Sequence, residues 1–226
     1  MIELYHCVNA RSFRPLWTLE EMGLAYTLHV LPFPPRYLAP GYKDMNPLGT
    51  IPLMIDGETR MTESAAICHY LATRHGPSPL AVSPDEADYG AYLNFLHMGE
   101  ATLTFPQTLV LRYRHFEEEG RRLPQVADDY ARWFLARLRA VDARLASRDY
   151  LVADRFTAAD ISVGYALMLA GTIGLDAEFS GPVRDYFDRI RDREGFRRAS
   201  EGQAEGAKPL GPVDELGRPL ASLARG

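Results

Sequence analysis

Glu63 and Ser64 stand where a predicted strand ends and a predicted helix begins, a position suited to binding charged groups. The first turn of a helix has free backbone N–H groups and the positive end of the helix dipole, so it binds anions, and the Ser64 hydroxyl adds a donor. The Glu63 carboxylate suits an ammonium group. Together the two residues fit the charged end of an amino acid. The simpler alternative, which spacing alone favours, is that Thr62 or Ser64 only caps the helix.

A second candidate site is the segment Asn-Pro-Leu-Gly-Thr-Ile-Pro at 46–52, which precedes a predicted strand. A cis peptide bond between Ile51 and Pro52 would leave the N–H and C=O of Ile51 unpaired at the end of the sheet. An extended peptide ligand could then bind both groups, as an added strand does. Cis bonds occur at only about 5–6% of X–Pro positions, so statistics alone favour trans.

These segments belong to a first part of the chain in which strand and helix patterns alternate. The order of predicted elements is a strand at 2–7, a helix at 15–23, a strand at 26–30, a hairpin around Asp56-Gly57 and a helix at 65–75. The first strand, helix and strand predict a right-handed parallel crossover, and the hairpin adds antiparallel strands. The first part therefore predicts an α/β domain with a mixed four-stranded sheet.

From residue 83 onward the apolar period becomes helical and remains so. The segment 83–86 predicts a capping box with a proline at the first helical position, and Thr157 with Asp160 predicts another capping box. Beyond residue 200 the period is lost, which predicts an irregular tail. The predicted organisation is an α/β domain at 1–78, an all-helical domain at 83–200 and a tail at 201–226.

Composition excludes several classes of function. The chain has 226 residues and a formal charge of −5, which argues against a nucleic-acid binder. The six histidines and the two cysteines, Cys7 and Cys68, show no metal-ligand spacing, so no metal is expected. No basic region followed by an apolar run opens the chain, and the longest uncharged stretch is shorter than the roughly 20 residues of a membrane span. We therefore expect a cytoplasmic protein with reduced thiols and no membrane partner.

Three features in order resemble the cytosolic glutathione transferase superfamily over residues 1 to about 200. They are the Asn-Pro-x-Gly-x-Ile-Pro segment, the Glu-Ser pair that opens a helix, and the capping box Phe156-Thr157-Ala158-Ala159-Asp160. Each motif alone is weak, but their combination in this order and spacing is specific. The resemblance implies a thioredoxin-like amino-terminal domain, an all-helical carboxy-terminal domain and a homodimer.

The resemblance also implies how glutathione, the co-substrate, is bound. It makes Pro52 cis, pairs the backbone of Ile51 with the cysteinyl unit, and places the γ-glutamyl end on Glu63 and Ser64. This reverses the preference for a trans bond and for simple helix capping.

The residue that activates the thiol is less well marked. A free thiol has a pKa near 8.5, and the thiolate is the nucleophile, so the protein must stabilise S⁻ at the start of its first helix. Counted back from Gly23, Asn9 occupies the position of the activating hydroxyl in serine-type relatives, and Ser12 is a nearby hydroxyl whose simpler role is to cap the helix. We predict that Asn9 and Ser12 act jointly. Tyr5 and backbone donors remain alternatives.

The resemblance implies a glutathione transferase that attacks a small hydrophobic electrophile, a detoxification reaction. Because Asn9 departs from the family's serine, two alternatives stay open. One is a glutathione-dependent disulfide reductase or peroxidase, and the other is a ligand-binding protein that keeps the fold without the activity.

Overall fold

The computed structural model describes residues 1–220, which form two compact units: residues 1–78 with the segment that starts at Asp192, and residues 79–191. Within the described range, the first unit holds a four-stranded sheet and five α-helices. Their bounds are β1 Ile2–His6, α1 Phe13–Met22, β2 Tyr26–Val30, α2 Pro35–Leu38, α3 Tyr42–Met45, β3 Leu53–Asp56, β4 Thr59–Met61, α4 Ser64–Arg74 and α10 Glu194–Ala207, followed by a 3₁₀ turn at Lys208–Leu210.

The sheet has the order β2-β1-β3-β4, with β1 parallel to β2 and antiparallel to β3. Alternate residues of β1 are buried, which is the pattern that predicted the strand. Gly23 adopts φ 62° just after α1, as expected for a C-terminal glycine. The hairpin predicted around Asp56-Gly57 joins β3 to β4 and pairs Asp56 with Thr59. The mixed four-stranded sheet is therefore confirmed.

The second unit is helical and is built around α8, most of whose residues are buried. Its helices are α5 Tyr89–Met98, α6 Phe105–Leu111, α7 Pro124–Leu145, α8 Ala158–Thr172 and α9 Gly181–Arg191. The capping box predicted at Thr157 and Asp160 is confirmed, with the Thr157 N–H donating to Asp160 Oδ2 at 2.8 Å. Asp160 also accepts a hydrogen bond from the Tyr186 hydroxyl at 2.9 Å. The same carboxylate therefore starts α8 and anchors α9.

The helix predicted to begin at Pro84 starts five residues later, at Tyr89. The Ser83 N–H does donate to Glu86 Oε1 at 2.8 Å, as in a capping box. However, the same carboxylate also binds the Arg155 guanidinium at 2.7 and 2.9 Å. Asp88, rather than Ser83, is the residue that precedes the helix.

The irregular tail predicted from residue 201 is wrong at its start, because α10 continues to Ala207. The sequence showed no apolar stripe there because this helix packs through small residues. A Cβ on Gly195 would lie 2.6 Å from the Glu21 side chain, and one on Gly206 would lie 2.5 Å from Val30 Cγ2. Residues 213 and 219 then form an isolated antiparallel bridge, and residues 221–226 of the predicted tail lie outside the described range.

Within residues 1–220, no helix is both long enough and apolar enough to cross a membrane. Over the same range, no group of three or more His, Cys, Asp or Glu side chains is placed to hold a metal ion.

Candidate functional site

The strand register brings the predicted site residues to one edge of the sheet. Tyr5 of β1 pairs with Leu53 of β3, so the loop that follows β1 lies beside the segment that precedes β3. Met54 of β3 pairs with Met61 of β4, so the segment before β3 and the residues after β4 lie at the same end of the hairpin. The loop at 7–12, the pair 51–52 and the pair 63–64 therefore meet at this edge.

The loop before β3 is built to present the backbone of Ile51. The Ile51–Pro52 bond is cis, as the resemblance implied. The Thr50 carbonyl accepts hydrogen bonds from the Asn46 side-chain amide and from the Tyr42 hydroxyl, both at 2.7 Å. In the described part of the chain, Ile51 itself makes no backbone hydrogen bond. Its N–H and C=O are thus available to an extended ligand.

The glycine of this loop is required by its backbone and by a close approach. Gly49 has φ 62°, which an L side chain rarely adopts. A Cβ at this position would lie 2.7 Å from the Cβ of Arg36. Gly49 therefore allows the loop to close against α2.

The amino terminus of α4 is open to an anion. Glu63 precedes the helix in an extended conformation, and no side chain caps it. The first backbone bond of this helix runs from the Ile67 N–H to the Glu63 carbonyl at 2.9 Å, so the earlier N–H groups have no acceptor within the helix. The capping alternative for Thr62 or Ser64 is therefore wrong. Among residues 1–220, the half-buried Glu63 carboxylate has no hydrogen-bonding or charged partner.

Sequence reasoning missed the residue behind Ser64. Arg14 of α1 is fully buried, and its Nη1 donates a hydrogen bond to Ser64 Oγ at 3.1 Å. The guanidinium therefore places a positive charge beside this helix start. Because Ser64 Oγ accepts from Arg14, its own hydrogen is directed to another acceptor. Arginine on an otherwise buried helix face, between Phe13 and Pro15, is the signal that could have marked it.

The Ser12 hydroxyl lies inside the protein rather than at the helix surface. It is fully buried, it does not cap α1, and its Oγ lies 2.8 Å from His6 Nδ1. The Cys7 N–H donates to the same oxygen at 3.2 Å. Burial lowers the pKa of His6 to about 4, so its ring is neutral at pH 7.

The protonation of His6 follows from its other neighbour. Gln203 Oε1 accepts a hydrogen bond from the Asn9 backbone N–H at 3.0 Å, so this atom is an oxygen. His6 Nε2 lies 3.1 Å from that oxygen and must therefore carry the hydrogen. His6 Nδ1 is then an acceptor, and the Ser12 hydroxyl donates its only hydrogen to it. Ser12 thus has no hydrogen to donate to a sulfur atom in this arrangement.

Asn9 is held by the carboxy-terminal part of the chain. Its φ is 55°, in the left-handed region that few residues other than glycine and asparagine adopt. Its Oδ1 accepts from Gln203 Nε2 at 2.8 Å, and its Nδ2 donates to the Glu215 carbonyl at 3.0 Å. No pattern in the sequence marks these partners, which lie about two hundred residues away along the chain.

The remaining candidates near this edge have packing partners. The Tyr5 ring stacks on His29 with 4.5 Å between centroids, and burial together with Glu3 raises the pKa of Tyr5. Cys7 is fully buried, and burial raises the pKa of its thiol. Burial also raises the pKa of Cys68 to about 11, against the opposing effects of Thr18 and Arg14. Neither cysteine forms a disulfide.

Comparisons with known proteins agree with this geometry. Residues 10–74 match the family described as "Glutathione S-transferase, N-terminal domain". The chain is 27% identical to glutathione S-transferase 3 of Schizosaccharomyces pombe, over 89% of this chain and 87% of that protein. These matches make the chain similar to cytosolic glutathione transferases over most of its length.

Solved structures show that the glutathione transferase fold extends over the chain. A glutathione transferase from Methylococcus capsulatus superposes with a TM-score of 0.80 at 21% identity, covering 91% of this chain and 100% of that one. The glutathione transferase URE2P8 from Phanerochaete chrysosporium, solved with oxidized glutathione, gives a TM-score of 0.78 at 18% identity, covering 90% and 95%. The thioredoxin-like domain with an all-helical domain, predicted from sequence, is confirmed.

Proposed function

We propose that this protein is a glutathione transferase that binds reduced glutathione along the sheet edge described above. The observation that carries the proposal is the convergence of three complementary groups at that edge. They are the unpaired backbone of Ile51 beside Pro52, the half-buried carboxylate of Glu63, and the open start of α4 at Ser64 with Arg14 behind it.

Each of these groups matches one part of glutathione. The α-carboxylate of the γ-glutamyl unit binds the first N–H groups of α4 and the Ser64 hydroxyl, and the ammonium group binds Glu63. The cysteinyl unit pairs with Ile51 as an added strand. This pairing directs the thiol toward the loop that follows β1, where Asn9 lies.

The proposed chemistry is nucleophilic attack by the thiolate of glutathione on a small hydrophobic electrophile. The thiol must lose its proton near neutral pH, and the amide of Asn9 with the dipole of α1 stabilises the resulting S⁻. The sulfur then forms a bond to the electrophilic carbon as the leaving group departs with its electron pair. Ser12 contributes through His6 and Gln203 rather than by donating to the sulfur.

Calorimetry with reduced glutathione at millimolar concentration tests the binding. The expected result is saturable heat in the wild type and a loss of affinity in Ser64→Ala. The thiolate absorbance of bound glutathione, followed against pH, tests the activation. Asn9→Gly should raise the pKa of the bound thiol. No heat of binding in the wild type would overturn the proposal, and an unchanged thiol pKa would remove Asn9 from it.

A second candidate is a glutathione-dependent disulfide reductase or peroxidase. The amide at Asn9 favours it, because an amide supports a thiol more weakly than a hydroxyl that can point at the sulfur. A structural neighbour was solved with oxidized glutathione, which is a disulfide. Turnover with an aryl halide, a mixed disulfide and a hydroperoxide separates these reactions. A conjugation rate well above both reductions would exclude the second candidate.

A protein of this fold that binds glutathione without turnover is the third candidate. It would show calorimetric binding but no rate above that of glutathione in solution. Saturable turnover that is lost in Ser64→Ala would exclude it.

We also propose a homodimer, the assembly that the resemblance implies. An open groove of about 460 Å³ along α5 and the turn that follows it is a candidate contact surface, lined by Leu93, Met98 and Ala101 together with Asn94, His97 and Thr102. Sedimentation velocity should give about twice the chain mass of 25.4 kDa. A single species of 25.4 kDa at micromolar concentration would contradict it.

A further inference from the structure

We propose that Gln203 of α10 is the positioning residue of the thiol-activating loop, and that it sets the orientation in which Asn9 meets the sulfur of glutathione. The inference rests on the proposed function, because it needs bound glutathione to have an effect. From the sequence, we expected thiol activation to involve only residues near the first strand and the first helix. The inference adds a residue of α10.

Both the oxygen and the nitrogen of the Gln203 amide form hydrogen bonds with Asn9. Its Oε1 accepts from the Asn9 backbone N–H at 3.0 Å, and its Nε2 donates to Asn9 Oδ1 at 2.8 Å. The side chain is 7% exposed, so these bonds are largely shielded from water. Because the backbone N–H can only donate, the amide of Gln203 has one possible orientation. The amide of Asn9 is thereby oriented too, with its oxygen toward Gln203 and its Nδ2 turned away from it.

The backbone of Asn9 needs such support. A non-glycine residue with φ 55° is in a sparsely populated region, and it stays there when its surroundings hold it. Besides Gln203, the Glu215 carbonyl accepts a hydrogen bond from Asn9 Nδ2 at 3.0 Å. A Cβ on Gly217 would lie only 2.4 Å from the Val8 carbonyl oxygen. The chain after α10 therefore lies directly against the same loop.

The helix that carries Gln203 is itself fixed to the sheet side of the unit. The glycines described above let α10 approach α1 and β2 closely. Arg193 pairs with Glu21 at 2.8 Å, and Arg198 pairs with Glu20 at 2.9 Å. The amide of Asn9, near the start of the chain, is thus held by Gln203 of α10, a helix that is itself fixed to α1 and β2. A preorganised site needs this kind of support.

The chemical consequence is specific to activation. Without Gln203, Asn9 loses the hydrogen bonds that hold its backbone N–H and its Oδ1, so the orientation of its amide is less fixed and stabilisation of the sulfur anion falls. In the described structure, Gln203 forms no hydrogen bond with Ser64, Glu63 or Ile51, so the anchoring of glutathione is retained. A change at Gln203 should therefore lower kcat and leave the KM for glutathione near its wild-type value.

The experiment compares Gln203→Met, which keeps the side-chain volume, with Glu201→Ala, an exposed position on the same helix. The readouts are the pKa of the thiol in the glutathione complex, followed by thiolate absorbance, and kcat and KM with an aryl halide. In Gln203→Met we expect a thiol pKa raised by about one unit and a kcat about tenfold lower, with KM within about twofold. Glu201→Ala should match the wild type.

A folded Gln203→Met variant with wild-type thiol pKa and kcat would overturn the proposal, as would a raised KM with unchanged kcat. If Gln203→Met does not fold, Gln203→Glu decides the question, because it keeps the acceptor for Asn9 N–H and His6, replaces the donor to Asn9 Oδ1 with an acceptor and adds a negative charge, and both changes disfavour the thiolate. It should then raise the thiol pKa as well, and an unchanged value would overturn the proposal. A wild type that binds no glutathione would instead refute the proposed function itself.

Discussion

The starts of α1 and α4 lie at the same edge of the sheet, but they are organised in opposite ways. At α4, the first N–H groups are open, the Glu63 carboxylate has no partner in the described range, and the Ser64 hydroxyl accepts a hydrogen bond from the Arg14 guanidinium. At α1, Ser12 donates to the buried His6, and Asn9 is held by Gln203 and by the Glu215 carbonyl.

In the proposed function, this difference separates two tasks, the anchoring of glutathione and the activation of its thiol. An anchoring site must leave donors and charges available to the ligand, which α4 does. An activating site must hold one donor in a fixed direction. The neighbouring side chains therefore form hydrogen bonds with that donor rather than with the ligand, as at α1. Both helix starts carry a serine, and the partners of that serine distinguish them.

The largest expected effect is a loss of stability in acid, and it arises from His6, the buried partner of Ser12 at the start of α1. His6 is buried with a pKa of about 4, below its ordinary value of 6.5, so between those values the unfolded chain binds a proton that the native state does not. The contribution of neutral His6 to the free energy of unfolding is therefore fully present above pH 6.5. It is lost as the pH drops toward 4, by about 3 kcal/mol in total.

Urea unfolding at pH 7 and at pH 4.5 measures this loss, with His6→Gln as the variant that lacks the titrating group. The variant should lose less stability over this pH range than the wild type. An equal loss in both proteins would show that His6 is not the group responsible.

The next effect compares the two serines. Ser64→Ala removes a hydrogen bond to a carboxylate, worth roughly 1.5–3 kcal/mol, so glutathione affinity should fall about 10-fold to 150-fold. Ser12→Ala should leave affinity within about threefold but reduce stability by about 1–3 kcal/mol, because His6 and the Cys7 N–H lose their buried partner. Calorimetric titration and urea unfolding measure the two quantities. Equal losses of affinity would remove the distinction between anchoring and activating ends.

A third prediction isolates the charge at α4. Arg14→Met should weaken binding of glutathione about tenfold, but it should barely affect γ-aminobutyryl-cysteinyl-glycine, which lacks the α-carboxylate. Competition titrations with both peptides measure the ratio, and melting curves check that the variant is folded. A parallel loss for both peptides would mean that Arg14 only supports the fold.

The smallest effect tests the backbone of the loop at α1. Asn9→Ala and Asn9→Gly both remove the side-chain bonds, but only glycine adopts φ 55° without strain. Asn9→Ala should be less stable than Asn9→Gly by about 1 kcal/mol. Equal unfolding free energies would indicate that the loop relaxes once Gln203 has lost its partner.

The sequence alone determined the elements of this protein and most of the residues of the proposed anchoring site. Alternation marked β1, Asp-Gly marked the hairpin, and the Thr157–Asp160 pair marked the start of α8. These features depend on residues close together in the chain, so a local pattern reveals them. The same holds for Glu63 with Ser64, which are adjacent.

Only the tertiary structure decided what surrounds the two helix starts. Arg14 and Ser64 are 50 residues apart, and Asn9 and Gln203 are 194 residues apart. The helix that carries Gln203 packs through glycines, which leave no apolar period to recognise. A hydrogen bond depends on where two side chains meet in the folded chain, and no spacing along the sequence records that meeting.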